Sequence, residues 1–328
     1  MLIGISGTLG AGKTEVARYL TFQGFKFIDY KREYNSIPNV KDLKLQDSDS
    51  ELKPEILFEN LQELIDYVTR NWLSNFVLTD ISTVLELEQL TKRPFFLHIS
   101  IDAPLKSRWE RHRLNNPNSS FTEFIEISDE QTYNRDALIV EVISKASIKI
   151  INTSTVVENL YVQLSKLNLL DQTRLRPSWD AYFMRLADLA ALRSNCMKRR
   201  VGCVIARDKR VIATGYNGTP RHMTNCNEGG CSRCNSGNGS GAALSTCLCL
   251  HGEENALLES GRDRIGDNAI LYCNTCPCLT CSVKIVQSGI KEVVYSLDYS
   301  MDDSSSRVLK EGGVLLRQYT PPIDGTLV

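Results

Sequence analysis

His251-Gly252-Glu253-Glu254-Asn255-Ala256 and, after a gap, Pro277-Cys278-Leu279-Thr280-Cys281 decide how the second half of this chain is read. One imidazole and two thiols are donors that zinc favours, and they number three. A catalytic zinc keeps one coordination position open for water, so three protein ligands is the expected count. That assigns His251, Cys278 and Cys281 to the metal and leaves Glu253 free. A carboxylate two residues past a metal-ligating histidine is placed to move protons for a hydrolysis. The same residues predict local structure. His251 and the Cys278/Cys281 pair open two helices, over 251–261 and 278–288, whose N-termini favour thiolate forms.

Working outward, strands are expected at 269–272 and 292–296, then a last helix at 302–310 and a last strand at 314–317. Upstream, 200–206 and 210–215 are β-rich runs joined through Arg207-Asp208-Lys209, a hairpin signal. Trp179, Tyr182, Phe183, Leu186, Leu189 and Ala190 recur at helical spacing after Ser178, a reasonable N-cap, and read as the core face of an amphipathic helix. All eleven cysteines lie between Cys196 and Cys281. Such one-sided usage marks a domain boundary, and without a secretion signal it reads as metal ligands or core thiols before disulfides. Cys203, Cys273 and Cys276 fall in or beside apolar strands and are expected in the core. Cys226, Cys231 and Cys234 lie in a loop with little apolar content, which Cys196, Cys247 and Cys249 can approach. A structural zinc drawn from Cys196, Cys226, Cys231, Cys234 and Cys249 would organise that loop.

The N-terminal half carries a separate signal. Leu2 to Ser6 is a short apolar strand, and Gly7-Thr8-Leu9-Gly10-Ala11-Gly12-Lys13-Thr14 fits the phosphate-cradling pattern G-x-x-x-x-G-K-[ST] at every fixed position. Backbone N–H groups from Gly7 to Gly12 would hold an anion, with Lys13 reaching terminal phosphates and Thr14 available to Mg²⁺. ATP or GTP is the expected ligand. Asp80 ends the apolar run Asn75-Phe76-Val77-Leu78-Thr79 and is a second candidate for the magnesium. Arg108, Arg111 and Arg113 resemble the lid arginines of small P-loop kinases, and a solvated charged helix explains them equally well.

Length of 328 residues suggests two domains, and 42% hydrophobic content allows two cores. The expected division is a P-loop kinase-like domain over 1–165, a linker over 166–177 and a zinc domain over 178–322. The formal net charge of −1 supplies no global positive field, which argues against polynucleotide or membrane-surface partners. No signal peptide or long apolar run is present, so a cytoplasmic or nuclear protein is expected.

The run Ser194-Asn195-Cys196-Met197-Lys198-Arg199-Arg200-Val201-Gly202-Cys203, then Gly215-Tyr216-Asn217-Gly218-Thr219-Pro220, then Cys249 to Ala256, resembles the deoxycytidylate deaminases of the fungal type across about 178–320. H-x-E followed by P-C-x-x-C is the signature of zinc deaminases. The resemblance implies an α/β/α three-layer cytidine-deaminase-like domain beside an α/β parallel-sheet P-loop domain. It also implies hydrolysis of dCMP to dUMP for thymidylate synthesis, activation by dCTP, inhibition by dTTP and a homo-oligomer. By the same resemblance Asn217 would meet the substrate's base or sugar. Lys198, Arg199 and Arg200, a compact basic cluster, are candidates for its phosphate, and phage-type members carry a second zinc at positions matching Cys196 and Cys226. Gly252 stands where the family usually has Ala. A nucleoside deaminase, a polynucleotide deaminase and a kinase with a zinc-stabilised regulatory module remain as alternatives. The intact Glu253 weighs against the last.

Overall fold

β1 (Leu2–Gly7) is buried at every position, as expected of a central parallel strand covered on both faces. A computed structural model describes residues 1–32, 52–134, 139–237, 239, 243–298, 303–320 and 325–327. After β1 come α1 (Lys13–Phe22), β2 (Lys26–Tyr30), β3 (Ile56–Phe58), α2 (Leu61–Arg70), β4 (Phe76–Leu78), α3 (Val84–Thr91) and β5 (Phe96–Asp102). α4 (Leu105–Asn115), α5 (Phe121–Tyr133), α6 (Ile139–Ser144), β6 (Ile148–Ile151) and α7 (Val157–Leu167) complete the run. A second series follows: α8 (Trp179–Ala191), β7 (Gly202–Arg207), β8 (Arg210–Tyr216), α9 (Ser232–Asn235), α10 (Gly252–Ile265), β9 (Ile270–Thr275), α11 (Leu279–Ser288), β10 (Glu292–Leu297), α12 (Asp303–Glu311) and β11 (Leu315–Gln318). β12 (Gly325–Leu327) closes the chain.

The chain divides into two compact units, Met1–Arg176 with Ile323–Val328, and Pro177–Pro322. In the first unit a seven-stranded sheet runs in the order β12-β6-β5-β1-β4-β2-β3, with every pairing parallel. Alternate residues feed opposite faces. Ile3, Ile5, Val77 and Ile99 pack under Val16, Leu20, Leu160 and Leu164, whereas Leu2, Phe76 and Leu78 pack with Leu64, Val68 and Leu87. Leu167, Leu169 and Leu175 join the first of these cores, so the unit extends to Arg176 rather than ending near 165. The C-terminal β12 pairs with β6, an edge no local pattern announced.

The second unit holds a mixed sheet, β11-β10-β9-β7-β8, in which β7 pairs antiparallel with both β8 and β9 while β9, β10 and β11 run parallel. Cys203, Ile205, Leu271, Cys273 and Val293 face Ala256, Leu257, Ile285 and Leu309. Val204, Ala206, Tyr272 and Val294 face Phe183, Met184 and Ala187. This is the three-layer α/β/α arrangement, with α8 on one face and α10 to α12 on the other. Asp208 and Lys209, both at positive φ, form the two-residue hairpin between β7 and β8.

Two glycines set how closely the helices lie. A Cβ on Gly202 would sit 2.0 Å from the Ala187 carbonyl oxygen, and one on Gly215 would sit 2.4 Å from the Ala256 nitrogen. The helix backbones therefore rest directly on the strands. This explains Ala187 and Ala191 on the buried face of α8, which also presents Ala181, Phe183 and Met184. The expected core face holds at Phe183, which packs on Tyr272, and is corrected at Trp179, Tyr182 and Leu189, which stay exposed.

Candidate active site and metal centres

α10 and α11 both begin at residues that carry metal-binding atoms. His251 is the N-cap of α10 and Cys278 the N-cap of α11, each with extended backbone. Their side chains face each other. The His251 Nδ1 lies 3.3 Å from the Cys278 Sγ and 3.3 Å from the Cys281 Sγ, and the three donor atoms lie within 4.8 Å of one another. The His251 amide donates to Glu254, whose carboxylate also pairs with Lys284 of α11. One ion pair thus ties the start of α10 to the middle of α11.

The electrostatics are those of a site built for a cation. Cys278 is held down to about 3 by hydrogen bonds from Cys281, then from His251 and Thr280, against the upward pull of burial. Cys281, the thiol beside that thiolate, is pushed the other way. His251 rises to about 9, chiefly through its bond to Cys278. Two thiols and an imidazole this close exchange protons among themselves, and a dication would displace those protons. Glu253 is 3% exposed, and burial raises its carboxyl to about 7, so it can both accept and release a proton near neutral pH. A Cβ on Gly252 would lie 3.2 Å from the Val201 carbonyl oxygen, a contact tight enough that glycine eases the approach of the loop bearing Lys198, Arg199 and Arg200.

That loop is held by Asn217. Its side-chain Nδ2 donates to the Arg199 carbonyl at 2.7 Å, and its Oδ1 accepts from the Val201 amide at 2.8 Å. Asn217 is buried, Arg199 half-buried, and Lys198 and Arg200 exposed. The amide is thus committed to the loop backbone. Tyr295 is buried in β10, and Tyr299 lies outside the described residues. Cys203 and Cys273 are core residues on adjacent strands, while Cys276 is half-buried.

The six remaining cysteines converge. Cys196, Cys226, Cys234 and Cys249 form one group of four, and Cys231, Cys234, Cys247 and Cys249 another, with every sulfur in a group within 4.8 Å of its fellows. Cys247, expected from the sequence to approach this loop but left out of the ligand set, belongs to it.

In the first unit the phosphate-loop residues also assemble. Gly10 and Gly12 have φ of +74° and +111°, and no side chain caps the start of α1, which leaves its first amides available. The Lys13 ammonium donates to the Gly7 and Thr8 carbonyls and lies 3.3 Å from Asp80. Burial acts upward on the Asp80 carboxyl, but Lys13 and Arg32 outweigh it and hold the group below its ordinary range. Thr14 is exposed at the helix start. The basic helix is used differently from a lid. Arg111 donates to the carbonyls of Gly10, Ala11 and Ser154 and so braces the loop from behind, whereas Arg108 donates to the Ala103 carbonyl and the Ser128 hydroxyl; Arg113 is exposed.

Residues 177–297 match the family described as cytidine and deoxycytidylate deaminase zinc-binding region, and residues 3–134 match an AAA domain. A Schizosaccharomyces pombe protein named deoxycytidylate deaminase is 48% identical over 322 residues, covering 98% of each chain. A Saccharomyces cerevisiae protein of the same name is 51% identical over 273 residues, 80% of this chain and 86% of that one. One from Mycobacterium phage D29 is 44% identical over 126 residues, 37% of this chain but 95% of its own. Among the described residues no helix is long and apolar enough to cross a membrane.

Proposed function

The chain belongs to the deoxycytidylate deaminase family, and from that premise we propose that it hydrolyses dCMP to dUMP and ammonia at the His251, Cys278 and Cys281 centre. The observation that carries this reading is the convergence of the His251 Nδ1 with two sulfurs, each at 3.3 Å, beside a buried Glu253. The three donors fit zinc in kind and number, and zinc bound there supplies a Lewis acid that makes water nucleophilic near neutral pH. The chain's own residues do the rest. Glu253 takes one proton of the attacking water and passes it to the ring nitrogen beside cytosine C4, then takes the remaining proton from the new C4 hydroxyl and delivers it to the amine, so that the C4–N bond breaks, the C4 carbonyl forms and ammonia leaves. Burial raises the Glu253 carboxyl above the ordinary carboxylate range.

Lys198, Arg199 and Arg200 are assigned to the nucleotide phosphate, with Asn217 acting on the substrate through the loop it holds. In the first unit Gly7, Gly12, Lys13 and Thr14 are assigned to ATP or GTP, with Asp80 and Thr14 for magnesium. Activation by dCTP, inhibition by dTTP and assembly of several copies follow from the family reading. Ammonia release from dCMP, deoxycytidine, CMP and a short oligonucleotide, each with and without dCTP, tests the proposal. It predicts dCMP first by a wide margin; deoxycytidine or the oligonucleotide in first place would refute it.

A further inference from the structure

The cluster of six cysteines departs from a single structural zinc in one respect. Its two groups of four share two members, Cys234 and Cys249. A tetrahedral zinc with bonds of about 2.3 Å sets its sulfurs about 3.8 Å apart, and two such tetrahedra that share an edge need six thiolates, two of them bridging. The described contacts fit that figure. Cys196 to Cys234 is 3.9 Å, Cys231 to Cys247 4.0 Å, Cys234 to Cys247 3.7 Å, and the shared pair Cys234 to Cys249 is 4.0 Å. All six are free thiols, and these separations lie far outside the length of about 2.05 Å for a disulfide.

We propose that these six sulfurs hold a binuclear zinc cluster, one ion by Cys196, Cys226, Cys234 and Cys249 and the other by Cys231, Cys234, Cys247 and Cys249, with Cys234 and Cys249 bridging.

Three further features support two ions. The buried cluster consists of cysteines alone, Cys226, Cys231, Cys234 and Cys249 inside and Cys196 and Cys247 at its margin, so among the described residues of 226–249 the thiols themselves form the core. Backbone amides point at the sulfurs: Met197 donates to Cys226 at 3.5 Å and Leu248 to Cys231 at 3.4 Å. Six thiolates around two dications leave the assembly anionic, and Arg233, 7% exposed, donates its guanidinium to Cys234 and Cys247. The cluster also ties together the chain on either side of the active site. Cys249 precedes His251 by two residues, and Cys196 opens the turn into the Lys198 to Arg200 loop.

Metal counting on the full chain tests this without recourse to activity. Wild type should carry three zinc ions per chain, and the double variant Cys278→Ser, Cys281→Ser two, which separates failure of the catalytic reading from failure of the cluster. Cys247→Ser and Cys226→Ser should each lose one ion relative to wild type, and Cys234→Ser two. Because these variants risk misfolding, the unaltered protein loaded with isotopically labelled cadmium supplies an independent readout. Two all-sulfur resonances coupled to one another through the bridging thiolates are expected. A single uncoupled all-sulfur resonance, unchanged zinc in Cys247→Ser, or iron in place of zinc would each overturn the proposal.

Discussion

Asn217→Ala removes both side-chain hydrogen bonds that hold the basic loop, to the Arg199 carbonyl at 2.7 Å and from the Val201 amide at 2.8 Å. The backbone bonds of residue 217, from its amide to the Val201 carbonyl and from the Ser194 hydroxyl to its own carbonyl, survive the change. The loop should therefore loosen rather than detach. Each lost bond is worth about 1 kcal/mol net, and leaving a partly buried amide and carbonyl unpaired adds about 1 kcal/mol or more apiece. A local cost of about 2–4 kcal/mol raises the opening equilibrium on the order of a hundredfold. Hydrogen exchange at the Val201 amide reads this directly, and its protection should fall by that order while zinc content stays unchanged. Kinetics supply the functional half: KM for dCMP should rise with the loop's disorder, and deoxycytidine, which has no phosphate for Lys198, Arg199 and Arg200, should be affected far less. Val201 exchange within threefold of wild type, together with an equal loss of kcat/KM for both substrates, would refute the clamp and make Asn217 a direct contact to base or sugar.

Three other outcomes follow from the structure. Gly215→Ala places a Cβ 2.2 Å from the Gly252 carbonyl oxygen and 2.4 Å from the Ala256 nitrogen, backbone atoms that cannot swing aside, and should cost about 3 kcal/mol or more, read as a lowered melting temperature of the second unit. Lys13→Ala should abolish ATP binding measured by calorimetry while leaving deamination of dCMP without effectors unchanged. His98, 4% exposed and bonded through Nε2 to the Ser6 hydroxyl at 2.8 Å, is lowered by burial to about 4. Its folded pKa lies below the unfolded one, so the neutral ring stabilises the fold above pH of about 6.5, and about 3 kcal/mol is lost as pH falls towards 4. Acid titration of unfolding free energy should show that slope in wild type and a flatter one in His98→Gln.

What was legible in the sequence is what lies within a few residues of itself. His251, Glu253, Cys278 and Cys281 announce their chemistry because each pair sits at one helix start. Gly7 to Thr14 is likewise a single turn, and the alternation in β7 and β9 follows from a period of two. What escaped depends on distant partners. Trp179 and Tyr182 keep helical spacing with the buried Phe183, yet stay about half exposed, because the closest approach of α8 to the sheet falls further on, where Ala187 and Ala191 lie over Gly202, a residue beyond the end of that helix. Arg111 reads as a solvated or lid arginine until Gly10, Ala11 and Ser154 come to its guanidinium. Asn217 in an Asn-Gly pair looks like a turn or a substrate ligand, and only the folded hairpin brings Arg199 and Val201 to it. The pairing of β12 with β6 brings Gly325 to Ile148 across the whole of the second unit, beyond the reach of any local pattern.

The central claim is that Glu253 moves the protons of a hydrolysis at the His251, Cys278 and Cys281 centre. Ammonia release from dCMP by Glu253→Gln, with zinc counted in the same sample, tests it most directly. Zinc should stay unchanged and kcat fall by about 10²–10⁴-fold, the usual worth of a positioned acid–base group. Near-wild-type turnover at full zinc occupancy would contradict it.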